Sequence, residues 1–426
     1  MTLRSLTLRT LVASMAAVGI GMVNSILLAR WMGPTGRGEI AAAMLWPSIL
    51  VYTSSMGMFS ATTFFSTQLD VRVESVLGNS LFFSFAQSIG AVLLGFFTLP
   101  WLLSSQSGMV LNVSRLYLLV IPLSLVTINC TSLLQGRMQI GVTNWLRLIV
   151  PTGYLVGVIF LKYSGFLTLL NIIILHLLLN IIALGAGVFI MWRLRTIREL
   201  GCDVGLAKKM LKYGLKVQVG EVSQTANVRL DQALMAAWLP PAQLGFYVVA
   251  VSAAGIPNIL SSTVRFIITP AISNTEAARD KHALLIVAFR KYWILSLLIG
   301  IAIGAILPFT IPLVFGVNFI AATLPALILL VGAIAVGAKD VLTGGSQGLG
   351  NPWLSSRIDL ITFCITGVLL FLLLPRFGII GAALITTSVY LVQLVLIVIN
   401  LNRSHNITPL SLFRLNLADM REVLRS

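Results

Sequence analysis

A chain that breaks, one after another, into apolar runs of about twenty residues has few folds open to it, because a run of that length crosses the hydrocarbon core of a bilayer as a helix. Twelve such runs can be traced in this sequence. They lie near residues 8–30, 38–66, 77–103, 114–135, 145–162, 166–192, 211–239, 243–270, 285–308, 318–343, 354–374 and 378–400. Only 10% of the 426 residues are charged and 58% are hydrophobic, with a mean hydropathy of +0.97. Soluble domains carry about 25% charged residues, and no soluble core could bury this much apolar surface. The fold class is therefore an all-α polytopic membrane protein.

Lysine and arginine set the orientation. With the N-terminus placed inside, the outside segments hold only Arg30, Arg37, Arg115, Lys162 and Arg376. Arg229, Arg265 and Lys339 fall within spans, and the rest of the 29 Lys and Arg lie inside. That asymmetry puts both termini in the cytoplasm. It also supports the seventh run, the least apolar of the twelve, because dropping it inverts everything downstream. A basic chain also suits nucleic acid, but these cations sit between apolar spans, so no nucleic-acid partner is expected. The N-terminal apolar stretch is too long for the core of a signal peptide and reads as an uncleaved first span.

The longest hydrophilic stretch, Arg193 to Lys216, divides the chain nearly in half and reads as a linker on the cytoplasmic face. The domain reading is an N-terminal six-helix lobe with linker over 1–200, a C-terminal six-helix lobe over 201–402 and a cytoplasmic tail over 403–426. The tail segment "SLFRLNLADMREVLRS" has the pattern of a short amphipathic surface helix; a frayed basic terminus is the other reading.

The halves echo each other. At an offset of 207 residues Asn24 falls on Asp231, Trp31 on Trp238, Pro34 on Pro241, Gly38 on Gly245 and Ala43 on Ala250. A second, gapped echo relates Leu133–Trp145 to Gly344–Trp353. Two echoes in the same order point to a duplicated six-span unit. Six is even, so the repeats enter the membrane in the same direction, and such lobes flank a central cleft in alternating-access transporters.

An ionised side chain at the centre of a span costs about 2.5–3.5 kcal/mol on insertion scales and is a functional candidate by default. The seventh run holds several polar groups. Gln218, Glu221, Thr225, Arg229 and Gln232 follow helical spacing on one stripe, with Gln224, Asn227 and Asp231 beside it and Val222, Leu230 and Ala233 opposite. Two readings stand for Arg229: an ion pair with Glu221 or Asp231 that only fixes packing, or a cation that grips an anionic substrate. Arginine suits phosphate because its planar fork donates bidentate hydrogen bonds and stays charged. Arg265 and Lys339 are further candidate cations, with Gln218 and Gln232 as polar partners. Asp231, Glu221 and Asp340 are the candidates for ion coupling. Lys339 and Asp340 also read simply as a membrane boundary.

Other chemistry is thin. Cys130, Cys202 and Cys364 lie far apart and form no CxxC pair, so neither a metal framework nor a disulfide framework is expected. His176 lies inside a span as a proton site or an interhelical hydrogen bond. "GGSQGLG" at 344–350 lacks the Lys-Ser/Thr of a phosphate loop and reads as a span-ending turn. Pro47, Pro122, Pro151, Pro257 and Pro308 predict kinks, and GxxxG pairs at Gly153/Gly157 and Gly300/Gly304 hint at close helix packing.

The stretch "LLARWMGPTGRGEIAAAMLWPSIL" resembles the first loop and second helix of the polysaccharide-type oligosaccharide flippases, in the multidrug/oligosaccharidyl-lipid/polysaccharide exporter superfamily. Its echo "VRLDQALMAAWLPPAQLGFYVVAVS" resembles the start of their second lobe, although Pro240-Pro241 stands where the first lobe has Gly33-Pro34. The resemblance implies a bacterial inner-membrane flippase, not an enzyme and without a cofactor. Its implied partners are a polyprenyl-diphosphate-linked glycan, membrane lipids and the polysaccharide polymerase machinery; a monomer is expected because the two lobes already supply an internal pseudo-dimer. Two other readings stay open: an ion-coupled multidrug or metabolite antiporter, and a membrane-embedded glycosyltransferase or ligase.

Overall fold

In a computed structural model of the chain, residues 3–68, 70–194, 200–275, 277–349 and 353–414 are described. Among them there is no strand. The elements are α1 (Leu3–Ser54), α2 (Met58–Ser66), α3 (Val73–Leu102), α4 (Gly108–Tyr117), α5 (Val120–Gly136), α6 (Ile140–Tyr163), α7 (Leu169–Arg193), α8 (Val204–Trp238), α9 (Pro241–Ala254), α10 (Pro257–Asn274), α11 (Ala278–Phe315), a 3-10 turn (Val317–Ala322), α12 (Thr323–Gly348), α13 (Trp353–His405) and α14 (Pro409–Phe413).

Eight of these segments are long and apolar enough to cross a bilayer, and nine if the bent pair α9–α10 counts as one span. Two of the eight are double spans. α1 breaks at Gly33, where φ is 69°, and α13 breaks at Gly378, where φ is 54°. Both values lie in the left-handed region that glycine alone enters cheaply. Splitting these two helices and adding α8 restores twelve. α8 escapes a hydropathy criterion because its face is polar, as its sequence suggests. At 35 residues it runs about 50 Å.

The chain divides into two compact units, Met1–Gly245 and Phe246–Ser426. In the first, Met58, Phe65, Val76, Leu77, Leu133, Leu146, Met191 and Met210 build a core from α2, α3, α5, α6, α7 and α8. α8 starts inside the hydrophilic stretch read as a linker. Asp203 caps it by accepting from the Leu206 N–H at 3.0 Å. Asn79 of α3 then holds Asp203, donating to its carbonyl at 2.9 Å and accepting from its N–H at 3.2 Å.

Two sequence echoes meet inside this unit. A Cβ on Gly38 would collide with the Pro241 carbonyl, and one on Gly245 with the Pro34 carbonyl. The contact is reciprocal, as if about a local two-fold. The GxxxG pairs also pack closely: Gly153 and Gly157 lie under Leu179 and Leu175 of α7, while in the second unit Gly300 and Gly304 face Ile334 and Leu330 of α12.

The second unit centres on Ile272, Leu285, Phe289, Tyr292, Ala338, Leu342, Ile397 and Leu401. The glycine run at 344–348 is not a turn. It is the last stretch of α12, and its glycines leave room for Arg265, Ile268 and Ile272 of α10 and Leu285 of α11. Of the tail, α14 is helical and docks through Leu412, while residues 415–426 lie outside the described residues.

Candidate functional site

The polar residues singled out from the sequence fall into two groups. Gln218, Glu221, Arg229, Asp231 and Gln232 belong to the first unit; Arg265, Lys339 and Asp340 belong to the second.

Gln218 is spent on the backbone. α1 ends at Ser54 and α2 begins at Met58, so the turn between them leaves carbonyls and N–H groups without helical partners. The Gln218 amide donates to the Tyr52 and Thr53 carbonyls, each at 3.0 Å. Its oxygen accepts from the Ser55 hydroxyl at 3.1 Å and from the Gly57 N–H at 2.5 Å. All four hydrogen-bonding positions of the amide are used. Replacing Gln218 with leucine is expected to lower stability by about 2–3 kcal/mol, because buried backbone groups lose their partners; a thermal unfolding midpoint that does not move would contradict this role.

Asp231 is buried and accepts from the Gln232 N–H at 2.7 Å, and Arg229 reaches the Gln232 oxygen at 3.5 Å. The Glu221 side chain lies outside the described residues. Among the described residues Arg229 forms no ion pair.

A second arginine completes the picture. The break at Gly33 is so tight that Arg37, expected in an outside loop, lies one turn into the second half of α1. It is half-buried, and its charge interacts with that of Arg229 and with Tyr154. Its hydrogen bond among the described residues is long, 3.4 Å to the Ser25 hydroxyl. Its Nε is shielded from solvent and unpartnered. Beside it, Asn24 donates to the Pro151 carbonyl at 3.1 Å, but its own oxygen has no partner. The Tyr154 hydroxyl, one turn further along α6, is also buried and unpartnered. The Tyr154 ring packs edge-on against His176, which hydrogen-bonds across helices with Tyr117 at 3.1 Å and within α7 with Asn180 at 3.0 Å.

Two guanidinium groups that feel each other's charge thus have no ion-paired carboxylate among the described residues, and a phenol donor and an amide acceptor there lack partners as well. Buried polar groups are nearly always satisfied, so unsatisfied ones that cluster call for an explanation. Like charges held together without a counter-ion are costly, and an anion with several acceptor oxygens removes that cost. The sequence signal for Arg37 was present in "GPTGR", but it depended on how short the turn is.

In the second unit Arg265 donates to the Gln347 oxygen at 3.4 Å and lies 3.9 Å from Asp340, while Lys339 lies 2.8 Å from Asp359. Among the described residues no group of His, Cys, Asp and Glu is placed to hold a metal ion.

The comparisons agree with this architecture. The family model described as "Polysaccharide biosynthesis protein" matches residues 27–327. A curated relative, the probable low-salt glycan biosynthesis flippase Agl15 of Haloferax volcanii, is 26% identical over 271 residues. That match spans 62% of this chain and 56% of the relative, little more than half its length. Among solved structures, the lipid II flippase MurJ in an inward closed conformation superposes with a TM-score of 0.79 at 13% identity, covering 98% of this chain and 92% of that one. An inward-facing multidrug resistance MATE family transporter gives a TM-score of 0.74 at 12% identity, covering 91% and 94%. These likenesses establish the fold, shared with both solved structures. With its family model matched over most of its length, the chain belongs to the family described as polysaccharide biosynthesis protein.

Proposed function

We propose that this protein carries a polyprenyl-diphosphate-linked oligosaccharide from the cytoplasmic to the outer leaflet by alternating access, supplying cell-surface polysaccharide synthesis. It works without chemical turnover, as a monomer in the cytoplasmic membrane with both termini inside, beside the polymerase that consumes its cargo. The observation that carries this reading is the pair of arginines, Arg37 and Arg229, with no carboxylate partner among the described residues. A diphosphate supplies the missing counter-charge and enough oxygens for two guanidinium forks. The Tyr154 hydroxyl is a further donor to it, and the Asn24 oxygen an acceptor for a sugar hydroxyl.

The test is transbilayer movement of a polyprenyl-diphosphate oligosaccharide in liposomes holding the purified protein. Wild-type protein is expected to speed movement well above protein-free vesicles. Export of a cationic dye on an ion gradient, with no movement of any lipid-linked glycan, would replace this reading with the antiporter. An unneutralised pair of cations argues against that outcome, because a cavity for cationic drugs favours carboxylates.

A further inference from the structure

Four charged side chains meet inside the second unit. Lys339 of α12 is 6% exposed, and its ammonium lies 2.8 Å from an Asp359 oxygen on α13 and 3.9 Å from an Asp340 oxygen. Arg265 of α10 lies 3.9 Å from the same Asp340 oxygen. Gln393, on the other arm of α13, donates to the Thr362 hydroxyl at 2.7 Å and reaches Asp359 at 3.5 Å. The side chains of Arg265 and Asp340 are 31% and 30% exposed, so solvent reaches one edge of the cluster while Lys339 and Asp359 sit behind it.

Two cations and two anions make the cluster neutral. Removing the lysine leaves one negative charge and a space the size of an ammonium group. That space is bordered by the Asp359 and Asp340 carboxylates. Thr343, one turn along the same face of α12, adds a buried hydroxyl with no hydrogen-bond partner among the described residues. Oxygen ligands and a single net negative charge are what a hard monovalent cation requires, and a lysine ammonium is itself a compact unit charge. We propose that Lys339 is a tethered cation that fills, within the second unit, a monovalent-cation site lined by Asp359 and Asp340, so that the wild-type protein takes no alkali ion there and loss of the ammonium opens the site to one.

The experiment is thermal unfolding of the purified full chain in choline, potassium, sodium and lithium chloride at matched ionic strength. Wild type is expected to unfold at the same temperature in all four. Lys339→Ala is expected to unfold earlier in choline and to regain on the order of a few degrees, saturably, with sodium or lithium, since a ligand that binds only the folded state stabilises it. Lys339→Ala/Asp359→Asn should lose that response. A saturable, cation-specific shift in wild type would overturn the proposal, as would a folded Lys339→Ala protein indifferent to every alkali ion. Where Lys339→Ala cannot be purified in choline, recovery in sodium or lithium chloride supports the tethered cation, and failure in every salt overturns it.

Discussion

Replacing Arg37 with alanine is expected to slow transbilayer movement of the lipid-linked glycan about ten- to hundredfold while leaving thermal stability unchanged or slightly raised. A charge-assisted hydrogen bond contributes about 1.5–3 kcal/mol, and each 1.4 kcal/mol is about tenfold in binding. The stability side of the prediction is the discriminating one. A guanidinium that served only packing would be matched by a carboxylate, and its removal would strand that partner and unfold the protein. Among the described residues Arg37 has no such partner, and its charge interacts with a second positive charge. Removing it relieves repulsion in the empty protein. Arg37→Lys should retain part of the activity, because the charge survives but the planar fork does not. If both arginines grip one diphosphate, the Arg37→Ala/Arg229→Ala loss should fall short of the product of the single losses. Undiminished transport with a lowered unfolding temperature would sink the idea.

Gly245→Val is expected to damage the first unit severely. The nearest neighbour of the new Cβ is a backbone carbonyl, that of Pro34, which cannot rotate away as a side-chain tip can. Gly38→Val meets the Pro241 carbonyl in the same way. Overpacking costs about 1–3 kcal/mol where side chains yield; here a helix must shift, so the loss should reach or exceed the top of that range. Gly21→Ala is the control. It lies in the same α1, with nothing within 4 Å of its would-be Cβ. There alanine should stabilise by about 0.5–1 kcal/mol through helix propensity. Unfolding temperatures and yield of folded protein decide the comparison. If Gly245→Val matched wild type, the close approach of the two echoes would be wrong.

These cases show where the sequence was legible. Hydropathy is a local property, so the apolar runs mark the spans without reference to partners. Charge parity rescued α8, whose polar face hides it from any apolar criterion. The GxxxG pairs do sit at helix contacts. What the sequence could not show was pairing at a distance. Gln218 closes a break more than 160 positions away, and its four bonds give no local signature. The sequence places Arg37 in a loop because apolar runs mark span boundaries only to within several residues, and one turn of helix moves a side chain from the water boundary into the protein. Lys339 and Asp340 are adjacent in sequence, yet the short contact of Lys339 is with Asp359, because neighbours on a helix point about 100° apart while the facing helix brings a carboxylate to 2.8 Å.

The sequence by itself determined that this chain is an all-α membrane protein of twelve spans, because a bilayer imposes length and apolarity on every span separately. It also carried the family, through the residues around Gly33-Pro34 and their echo. Only the tertiary structure decided which polar groups are spent on the fold and which are left over. Gln218 and Lys339 found partners, while among the described residues Arg37 and Arg229 lack a counter-charge and Tyr154 and Asn24 retain unused hydrogen-bonding capacity. The reason is physical: a span's cost of insertion is summed along the chain, whereas satisfying a buried charge depends on what another helix brings to within about 3 Å of it.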